Sequence, residues 1–308
     1  MADGVAADNG VWADIAATPL AEENFWTGTI APVVAAAAPR RIMEIGTESG
    51  GHTDMLLAYC QSAGAHLDLA DIRADIRADA RLGALLARHP RSHDFHPFAT
   101  LDAIPILPCC DLAILDTDPN WFTVYHALQL LFARAVAAGQ HAPIVILHGT
   151  GWPNARRDTY RDPGRIPERH AYAQRGIVPG QALLGDAGVN ATRFNAVSEG
   201  GPLNGVLTAA EDFVASWAEP IEMHALPFMG GLGIMVPSSR ADAAVLAELD
   251  TIFSGPSLLR LCARVDEVRV RLAADLAARN LVLARKTLAL GRARSMVARL
   301  SSAVGPLR

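Results

Sequence analysis

The sequence predicts an α/β fold built on a mostly parallel β-sheet. Short apolar runs that suit strands alternate with longer segments of helical spacing, which is the pattern of a parallel sheet covered by helices. A glycine-rich turn follows the first of these runs, at 46–51. Two further runs, at 111–116 and 143–147, are apolar almost throughout. Strands that are buried on both faces have this character.

Composition places the chain among folded, globular proteins. Of its 308 residues, 51% are apolar and 19% are charged, which excludes a wholly disordered chain. The net charge of −5 speaks against nucleic acid as a partner. No apolar run reaches the roughly 18 residues of a membrane span, and the first residues lack the basic and apolar parts of a signal peptide. We therefore expect a cytoplasmic protein with no membrane partner and with its four cysteines as free thiols.

The chain up to the glycine turn is expected to form helices and then a first strand. Residues 1–30 are interpreted as an N-terminal helical cap, anchored by Trp12, Phe25 and Trp26. The main domain is predicted to span 31–240, starting with an alanine-rich helix that Pro39 ends.

The segment 41–53 reads as strand, glycine turn and helix. Its apolar run ends at Gly46, and two more glycines follow at 50 and 51. Glycine lets a ligand approach the backbone closely, and the start of the next helix offers unpaired N–H groups. Glu44 lies inside the predicted strand, where a buried carboxylate needs a partner such as a ligand's amino group or the turn's own N–H groups. The pattern is not G-x-G-x-x-G, which speaks against a plain NAD-dependent oxidoreductase.

The remaining predicted elements follow in the order that a doubly wound sheet requires. Further strands are predicted at 66–72, 93–98, 111–116, 143–147, 221–227 and 232–237, and helices at 75–88, 120–138 and 206–217. The last two strands are expected to form an antiparallel hairpin joined at 228–231. Ligands of such sheets bind at the carboxyl ends of the strands. One crevice is therefore expected to collect Gly46, Asp71, Asp116, Asp118 and His148.

Asp71 ends the second of the predicted strands. It follows the glycine turn by about twenty residues, which is where a doubly wound sheet places an acidic residue against ribose hydroxyls. The alternative is a helix-capping or solvated turn aspartate.

Two segments extend the predicted sheet. Residues 150–205 lose regular periodicity, and such a long irregular stretch is usually functional or disordered; its aromatic and charged residues favour a substrate lid. Residues 241–308 are predicted as a C-terminal helical extension. From Ser257 the chain carries eleven basic and three acidic residues, a net of +8, which leaves −13 for the rest.

The spacing of apolar residues in the C-terminal extension suits a helix that packs along another helix. Leu261, Val265, Val268 and Leu272 follow a 4-3-4 spacing, which is typical of an amphipathic helix or a coiled-coil seam. The favoured interpretation is a homodimer through the C-terminal helices, and a basic arm for an anionic partner is the alternative.

The middle of the chain resembles a known family. Residues 116–128 read Asp-Thr-Asp-Pro-Asn-Trp-Phe-Thr-Val-Tyr-His-Ala-Leu. They are similar to Asp-Gly-Asp-His-Asn-Trp-Tyr-Thr-Val-Tyr-Asn-Glu-Leu of small class I S-adenosylmethionine (SAM) methyltransferases, a group distantly similar to macrocin O-methyltransferase. Further matches follow in order at 147–153, 156–167 and 195–213, and the resemblance covers roughly residues 40 to 237. The glycine turn also resembles motif I of class I methyltransferases.

The resemblance implies a Rossmann-like class I methyltransferase sheet that is parallel with an antiparallel hairpin at one edge. It implies SAM as the methyl donor, S-adenosylhomocysteine as the product, and a small-molecule acceptor, most simply a hydroxyl of a sugar or natural-product intermediate. The expected cofactor contacts are Glu44, Gly46, Thr47, Gly50, Thr53, Asp71, Ile72 and Asp116.

The candidate catalytic residues are His148 and Asp118. His148 is the first candidate base, because a strand-end imidazole titrates near neutral pH, and a structural histidine is the alternative. Asp118 is the second candidate, with capping of the helix at Asn120 as its alternative. The candidate substrate contacts in the lid are Trp152, Arg157, Asp158, Tyr160 and His170.

The chain departs from the family pattern in the predicted crevice. The family has Asp-Gly-Asp-His where this chain has 116–119 as Asp-Thr-Asp-Pro, and it has His-Asp where this chain has His148-Gly149. An imidazole and a carboxylate are therefore missing. Mg²⁺ requires several oxygen ligands in near-octahedral geometry, so we expect no tightly bound metal there. The alternative function is a degenerate SAM-binding scaffold, or a repurposed enzyme of this fold that lacks methyl transfer.

Overall fold

A computed structural model describes residues 25–47, 51–72 and 80–303. The main sheet consists of β1 (Arg41–Ile45), β2 (His66–Ala70), β3 (His93–His96), β4 (Leu112–Leu115), β5 (Ile144–His148), β9 (Ile221–Leu226) and β10 (Leu232–Pro237). A second, small sheet consists of β6 (Thr159–Tyr160), β7 (Tyr172–Ala173) and β8 (Phe194–Ala196). The helices are α1 (Ala31–Ala37), α2 (Gly51–Ala63), α3 (Ala80–Arg88), α4 (Thr100–Ala103), α5 (Trp121–Ala137), α6 (Val206–Ser216), α7 (Ala243–Ile252) and α8 (Gly255–Ala303).

The main sheet has the strand order β3-β2-β1-β4-β5-β10-β9. The pairs among β1 to β5 are parallel, and β10 runs antiparallel to both β5 and β9. The predicted fold class, a Rossmann-like class I methyltransferase sheet with an antiparallel hairpin at one edge, is confirmed. The chain leaves β1 toward β2 and β3 and then returns to the other side of β1 as β4, so the strand order reverses between β1 and β4.

The core on one face of the sheet lies under α5 and α6. Met43 and Ile45 of β1 belong to it together with Phe132 of α5 and Phe213 of α6, all 2% exposed or less. The two phenylalanine rings meet edge to face with centroids 4.9 Å apart. Burying each such side chain contributes roughly 1.5–3 kcal/mol, which fixes the two helices over the strands that carry the crevice.

The predicted lid contains a few very short strands among its turns and loops. Within 150–205 the chain forms the antiparallel sheet β6-β8-β7 and three isolated bridges, including Gly176 with Gly185. The two outer strands have two residues each, too few for any periodicity to be read from the sequence. The segment therefore lacks regular periodicity, as expected, and its role as a substrate lid stays a prediction.

The chain beyond the hairpin forms helix α7, which falls inside the helical extension predicted from 241. Helix α7 is capped by Asp242, whose Oδ1 accepts hydrogen bonds from the N–H groups of Ala244 and Val245 at 3.0 and 2.9 Å. The chain forms two compact units, one that runs to Ser257 and one from Leu258. Helix α7 belongs to the first unit, and the start of the extension at 241 stays a prediction.

The long helix α8 continues to Ala303, as its spacing predicted. Several of its apolar side chains are exposed, among them Leu276, Leu283 and Leu290. Among the described residues, no helix combines the length and the apolar character that crossing a membrane requires.

Candidate active site

The glycine turn after β1 is held between the ends of two neighbouring strands. The N–H of Gly46 donates to the carbonyl of Ala70 at 2.8 Å, and the N–H of Asp116 donates to the carbonyl of Ile45 at 2.8 Å. Gly46 has φ +85°, and a Cβ there would lie 1.8 Å from the carbonyl oxygen of Asp116. Only glycine fits this position. The turn therefore lies at the reversal point of the sheet, where doubly wound proteins bind their ligands.

Asp71 closes the turn from the β2 side. Its Oδ2 accepts a hydrogen bond from the backbone N–H of Thr47 at 3.0 Å and another from the Thr47 hydroxyl at 2.9 Å. Both side chains are buried. A solvated aspartate does not fit this arrangement, in which the carboxylate orders the loop that follows β1. Ile72, the next residue, is 42% exposed and offers an apolar surface beside it.

Glu44 is buried inside β1, as predicted, and is 3% exposed. The hydroxyl of Thr53, in the first turn of α2, donates to its Oε2 at 2.9 Å. This bond joins the central strand to the helix that follows the glycine turn. A threonine hydroxyl is thus one partner of the carboxylate, which differs from both partners that the sequence suggested.

His148 ends β5 in an aromatic and apolar environment. The ring of His52 lies 5.1 Å away between centroids, and the ring of Phe25 lies 6.3 Å away, edge to face. Nε2 of His148 is buried and has no hydrogen-bond partner in the described part of the chain. Burial lowers the pKa of His148 to about 4, so the imidazole is neutral at physiological pH. Sequence reasoning missed His52, whose signal is its position directly after the paired glycines.

Two more buried polar atoms near these strand ends lack hydrogen bonds within the described residues. They are the hydroxyls of Thr117, just after β4, and Thr150, just after β5. Buried polar groups are nearly always bonded to protein, water or ligand. Together with Nε2 of His148, these atoms make the ends of β4 and β5 suited to a polar ligand.

Asp118 joins the end of β4 to the segment 150–205, the predicted lid, which is called the insertion from here on. Its Oδ1 accepts from the N–H of Arg161 at 2.9 Å, and its Oδ2 accepts from Nδ2 of Asn120 at 3.1 Å. Asn120 itself caps α5 by accepting from the N–H of Thr123 at 2.8 Å, so the capping alternative for Asp118 was wrong. Burial raises the pKa of Asp118 to about 6, against the opposing effect of Arg161 and Arg193.

Asp158 is buried at the beginning of two helices. Its Oδ1 accepts from the N–H of Trp121, the first residue of α5, at 2.8 Å and from the N–H of Gly205, the residue before α6, at 2.7 Å. Its Oδ2 accepts from the hydroxyl of Tyr160 at 2.9 Å. A carboxylate is stabilised at helix N-termini, while burial raises its pKa. Asp158 therefore fixes the insertion to the helices of the main domain.

Of the other residues predicted to contact the substrate in the lid, two are buried and one is partly exposed. Arg157 is fully buried, and its guanidinium donates to the carbonyls of Ala196 and Ala182 at 2.5 and 2.6 Å. Tyr160 is also buried, and its hydroxyl accepts from the N–H of His170 at 2.9 Å. Trp152, by contrast, is 37% exposed.

The predicted substrate contacts are corrected accordingly. Both terminal nitrogens of Arg157, the carboxylate of Asp158 and the hydroxyl of Tyr160 bond to groups inside the protein, which makes these residues structural rather than substrate ligands. Nε of Arg157 is buried without a hydrogen-bond partner among the described residues. Nε2 of His170 lies 2.9 Å from the carbonyl of Leu203, which also makes it a structural group. Gly50 lies outside the described residues.

Comparison with known proteins finds similar solved structures only at low sequence identity. Neither a protein-family model nor a curated protein matches the chain. Among solved structures, the chain is similar to the SAH-bound methyltransferase PaMTH1 from Podospora anserina, at 14% identity, with 77% of this chain and 100% of that chain covered and a TM-score of 0.42. It is also similar to cofactor-bound Rv0187 from MTB, at 14% identity, 74% and 91% coverage and a TM-score of 0.42. A third is the O-methyltransferase TomG from Streptomyces achromogenes in complex with SAM, at 14% identity, 76% and 92% coverage and a TM-score of 0.40.

Proposed function

We propose that this protein is a SAM-dependent O-methyltransferase that acts on a hydroxyl of a small molecule, such as a sugar or natural-product intermediate. The observation that carries the proposal is the turn at Gly46, ordered by Asp71 and pressed against the end of β4 at the reversal point of the sheet. The resemblance of residues 40–237 to the class I methyltransferases described above supports it independently.

The groups around the glycine turn suit the parts of SAM. Asp71 accepts a ribose hydroxyl while it holds Thr47, and the exposed side chain of Ile72 covers an apolar face of the ligand. Glu44, with Thr53 behind it, and the turn at Gly46 face the amino-acid end, where a buried carboxylate favours an ammonium group. The backbone of Asp116 lines the proposed SAM pocket on the side of β4.

When bound, SAM would supply a methyl group on a sulfonium: the acceptor oxygen would bond to that carbon in line while the carbon–sulfur bond breaks, and S-adenosylhomocysteine would be the leaving group. The protein's part is to hold the acceptor hydroxyl at about 3 Å from that methyl group and to take up its proton. Asp118 is the better base, because its pKa of about 6 lies near the working pH. His148, with a pKa of about 4, is a weak base, and we assign it to orienting the hydroxyl through its unbonded Nε2. Trp152 packs on the acceptor.

Residues of α8 suit a homodimer. Leu276, Leu283 and Leu290 recur every seven residues and are 60%, 63% and 61% exposed, and a seven-residue repeat of leucine is the pattern of a coiled coil. Sedimentation velocity tests this part. The double substitution Leu283→Glu and Leu290→Glu is expected to give monomers, whereas Arg285→Glu adds a negative charge to the same helix and is expected to leave the dimer intact. A wild-type monomer would contradict it.

An activity assay tests the proposed reaction. Purified protein is incubated with SAM and a panel of sugars and phenolic and polyketide-type alcohols, and S-adenosylhomocysteine is measured. Turnover that depends on one class of acceptor and is lost in Asp118→Asn supports the proposal. If SAM binds but no acceptor gives turnover, with or without Mg²⁺, the scaffold alternative is favoured instead. The proposal includes no metal in the crevice, so added Mg²⁺ is expected to leave the rate unchanged.

A further inference from the structure

A second polar cluster lies on the outer strands of the sheet, at β2 and β3. His66 and Asp68 occupy alternate positions of β2, and Asp94 and His96 occupy alternate positions of β3. Alternate residues of a strand point to the same face, and Asp68 is the register partner of Asp94. Two imidazoles and two carboxylates therefore share one face of adjacent strands. His66 lies at the start of β2, whereas His96 is the register partner of Ala70 at its end, so the cluster runs along both strands.

The ligand atoms of this cluster lie close together. Nε2 of His66 is 3.1 Å from Oδ2 of Asp94, and Nε2 of His96 is 3.7 Å from Oδ1 of Asp68. One ligand atom from each of His66, Asp68 and Asp94 lies within 4.8 Å of the others. Zinc binds imidazole nitrogen and carboxylate oxygen at roughly 2.0–2.2 Å, which separates two ligands of a tetrahedral site by about 3.3 Å. Side-chain rotations would have to bring these three atoms closer to reach that spacing, and His96, which is outside the group of three, would have to move toward it from its place beside Asp68.

The cluster has two facing carboxylates and a buried imidazole nitrogen without a hydrogen bond, and both features favour a bound cation. Asp68, with its side chain 2% exposed, pairs through Oδ2 with Arg41 at 2.6 Å. Asp94 lies directly across from it, and like charges in such positions destabilise a strand pair. Nε2 of His96 is buried and has no hydrogen-bond partner among the described residues. A divalent ion between the strands would neutralise the second carboxylate and give this nitrogen a partner.

We infer that His66, Asp68 and Asp94 form a binding site for a zinc-class divalent transition metal, with His96 as the fourth ligand. Imidazole ligands favour zinc and its neighbours over Mg²⁺ and Ca²⁺. The four ligands come from two adjacent strands, so the ion cross-links the edge strand β3 to β2. Its role is structural, and it stands apart from the proposed methyl transfer.

The test is metal binding by the full-length protein. Calorimetry with ZnCl₂ is expected to give one site per chain, and Co²⁺ is expected to give the visible absorption bands of a tetrahedral nitrogen–oxygen site. Zinc is expected to raise the melting temperature. The double substitution His66→Gln and Asp94→Asn, at two solvent-accessible side chains, is expected to weaken binding by at least about 10–100-fold, the range seen even for outer-shell partners, and to abolish the thermal shift.

A matched control is His224→Gln. His224 also pairs with a surface carboxylate, Glu222, at 2.6 Å, but the pair belongs to no group of three ligands among the described residues. This variant is expected to bind zinc as the wild type does. Absence of saturable zinc binding by the wild type would overturn the inference. So would zinc binding that the double variant retains, because that result would assign the ion to other groups such as the cysteine thiols.

Discussion

Asp71 accepts hydrogen bonds from both the backbone N–H and the hydroxyl of Thr47, at 3.0 and 2.9 Å. The end of β2 is thereby tied to the turn after β1 through one buried carboxylate. The proposed SAM pocket depends on this pair, because it holds the turn against the end of β2.

Replacing Asp71 by alanine is expected to weaken SAM binding by about 1–3 kcal/mol, the range for a lost buried hydrogen-bonding partner. Thr47→Ala removes only the hydroxyl bond and is expected to cost less. Calorimetry measures both, and Asp250→Asn on the exposed side of α7 serves as the control. An Asp71→Ala affinity equal to that of the wild type would remove Asp71 from the cofactor site.

The raised pKa of Asp118 predicts the pH dependence of the reaction. A base must be deprotonated, so kcat/KM is expected to rise with pH through about 6 and to level off above pH 7. A profile that is flat between pH 5 and pH 7 would exclude Asp118 as the base.

Asp118→Asn is expected to abolish turnover without lowering stability at pH 8. Above pH 6 the wild type holds a charged, largely desolvated carboxylate, and the asparagine does not carry that cost. As pH falls from 6 toward 4 the folded wild type takes up a proton that the unfolded chain does not, so its relative stability recovers. Thermal melts at pH 8 and pH 5 measure this. A variant that is much less stable at pH 8 than the wild type would show that the charge is instead stabilising.

The lowered pKa of His148 predicts that its contribution to stability decreases as the pH falls, opposite to that of Asp118. Its folded-state pKa of about 4 lies below its usual value of 6.5, so the neutral form stabilises the fold above pH 6.5. That contribution is lost as pH falls from 6.5 toward 4, because the unfolded chain takes up the proton first. The melting temperature of His148→Asn is expected to fall less over this range than that of the wild type, with His224→Asn as the control. Parallel curves for His148→Asn and the wild type would contradict the buried, neutral imidazole.

The hydrogen bonds of Asp158 predict that removing its carboxylate destabilises the protein. Asp158→Ala leaves the N–H groups of Trp121 and Gly205 without their acceptor and is expected to lower the free energy of unfolding by about 3 kcal/mol or more. Glu211→Gln breaks an exposed pair with Arg156 and is expected to cost less than about 1 kcal/mol. Urea unfolding measures both. Equal losses would show that the insertion does not depend on the buried carboxylate.

The sheet and the glycine turn were predictable from the sequence because strong local signals encode them. The strands β4 and β5 are uninterrupted apolar runs, and the turn residues 228–231 separate two strand-like segments. The position of Asp71 followed from the spacing of doubly wound sheets. What the spacing did not indicate is that the Asp71 carboxylate holds Thr47, since that contact depends on how closely β1 and β2 end beside each other.

The insertion was not predictable because long-range side-chain contacts organise it. Buried Asn195 donates to the carbonyls of Arg175 and Asn190, both at 2.8 Å, and buried Asn204 accepts from the N–H of Asp158 at 2.8 Å. Such amides leave no periodic pattern in the sequence. For the same reason charged residues that read as substrate contacts proved to be structural. Helix α7 lies inside the predicted helical extension, and Asp242 followed by an Ala-, Val- and Leu-rich run is the signal for its start.

The central claim is that the crevice at Gly46 binds SAM without a metal, and calorimetric titration of the full-length protein tests it most directly. SAM and S-adenosylhomocysteine are each titrated with and without added Mg²⁺. We predict micromolar dissociation constants, about −8 kcal/mol in free energy, for both ligands and in both conditions. Absence of binding by either ligand would contradict the cofactor assignment, and binding that requires Mg²⁺ would contradict the metal-free crevice.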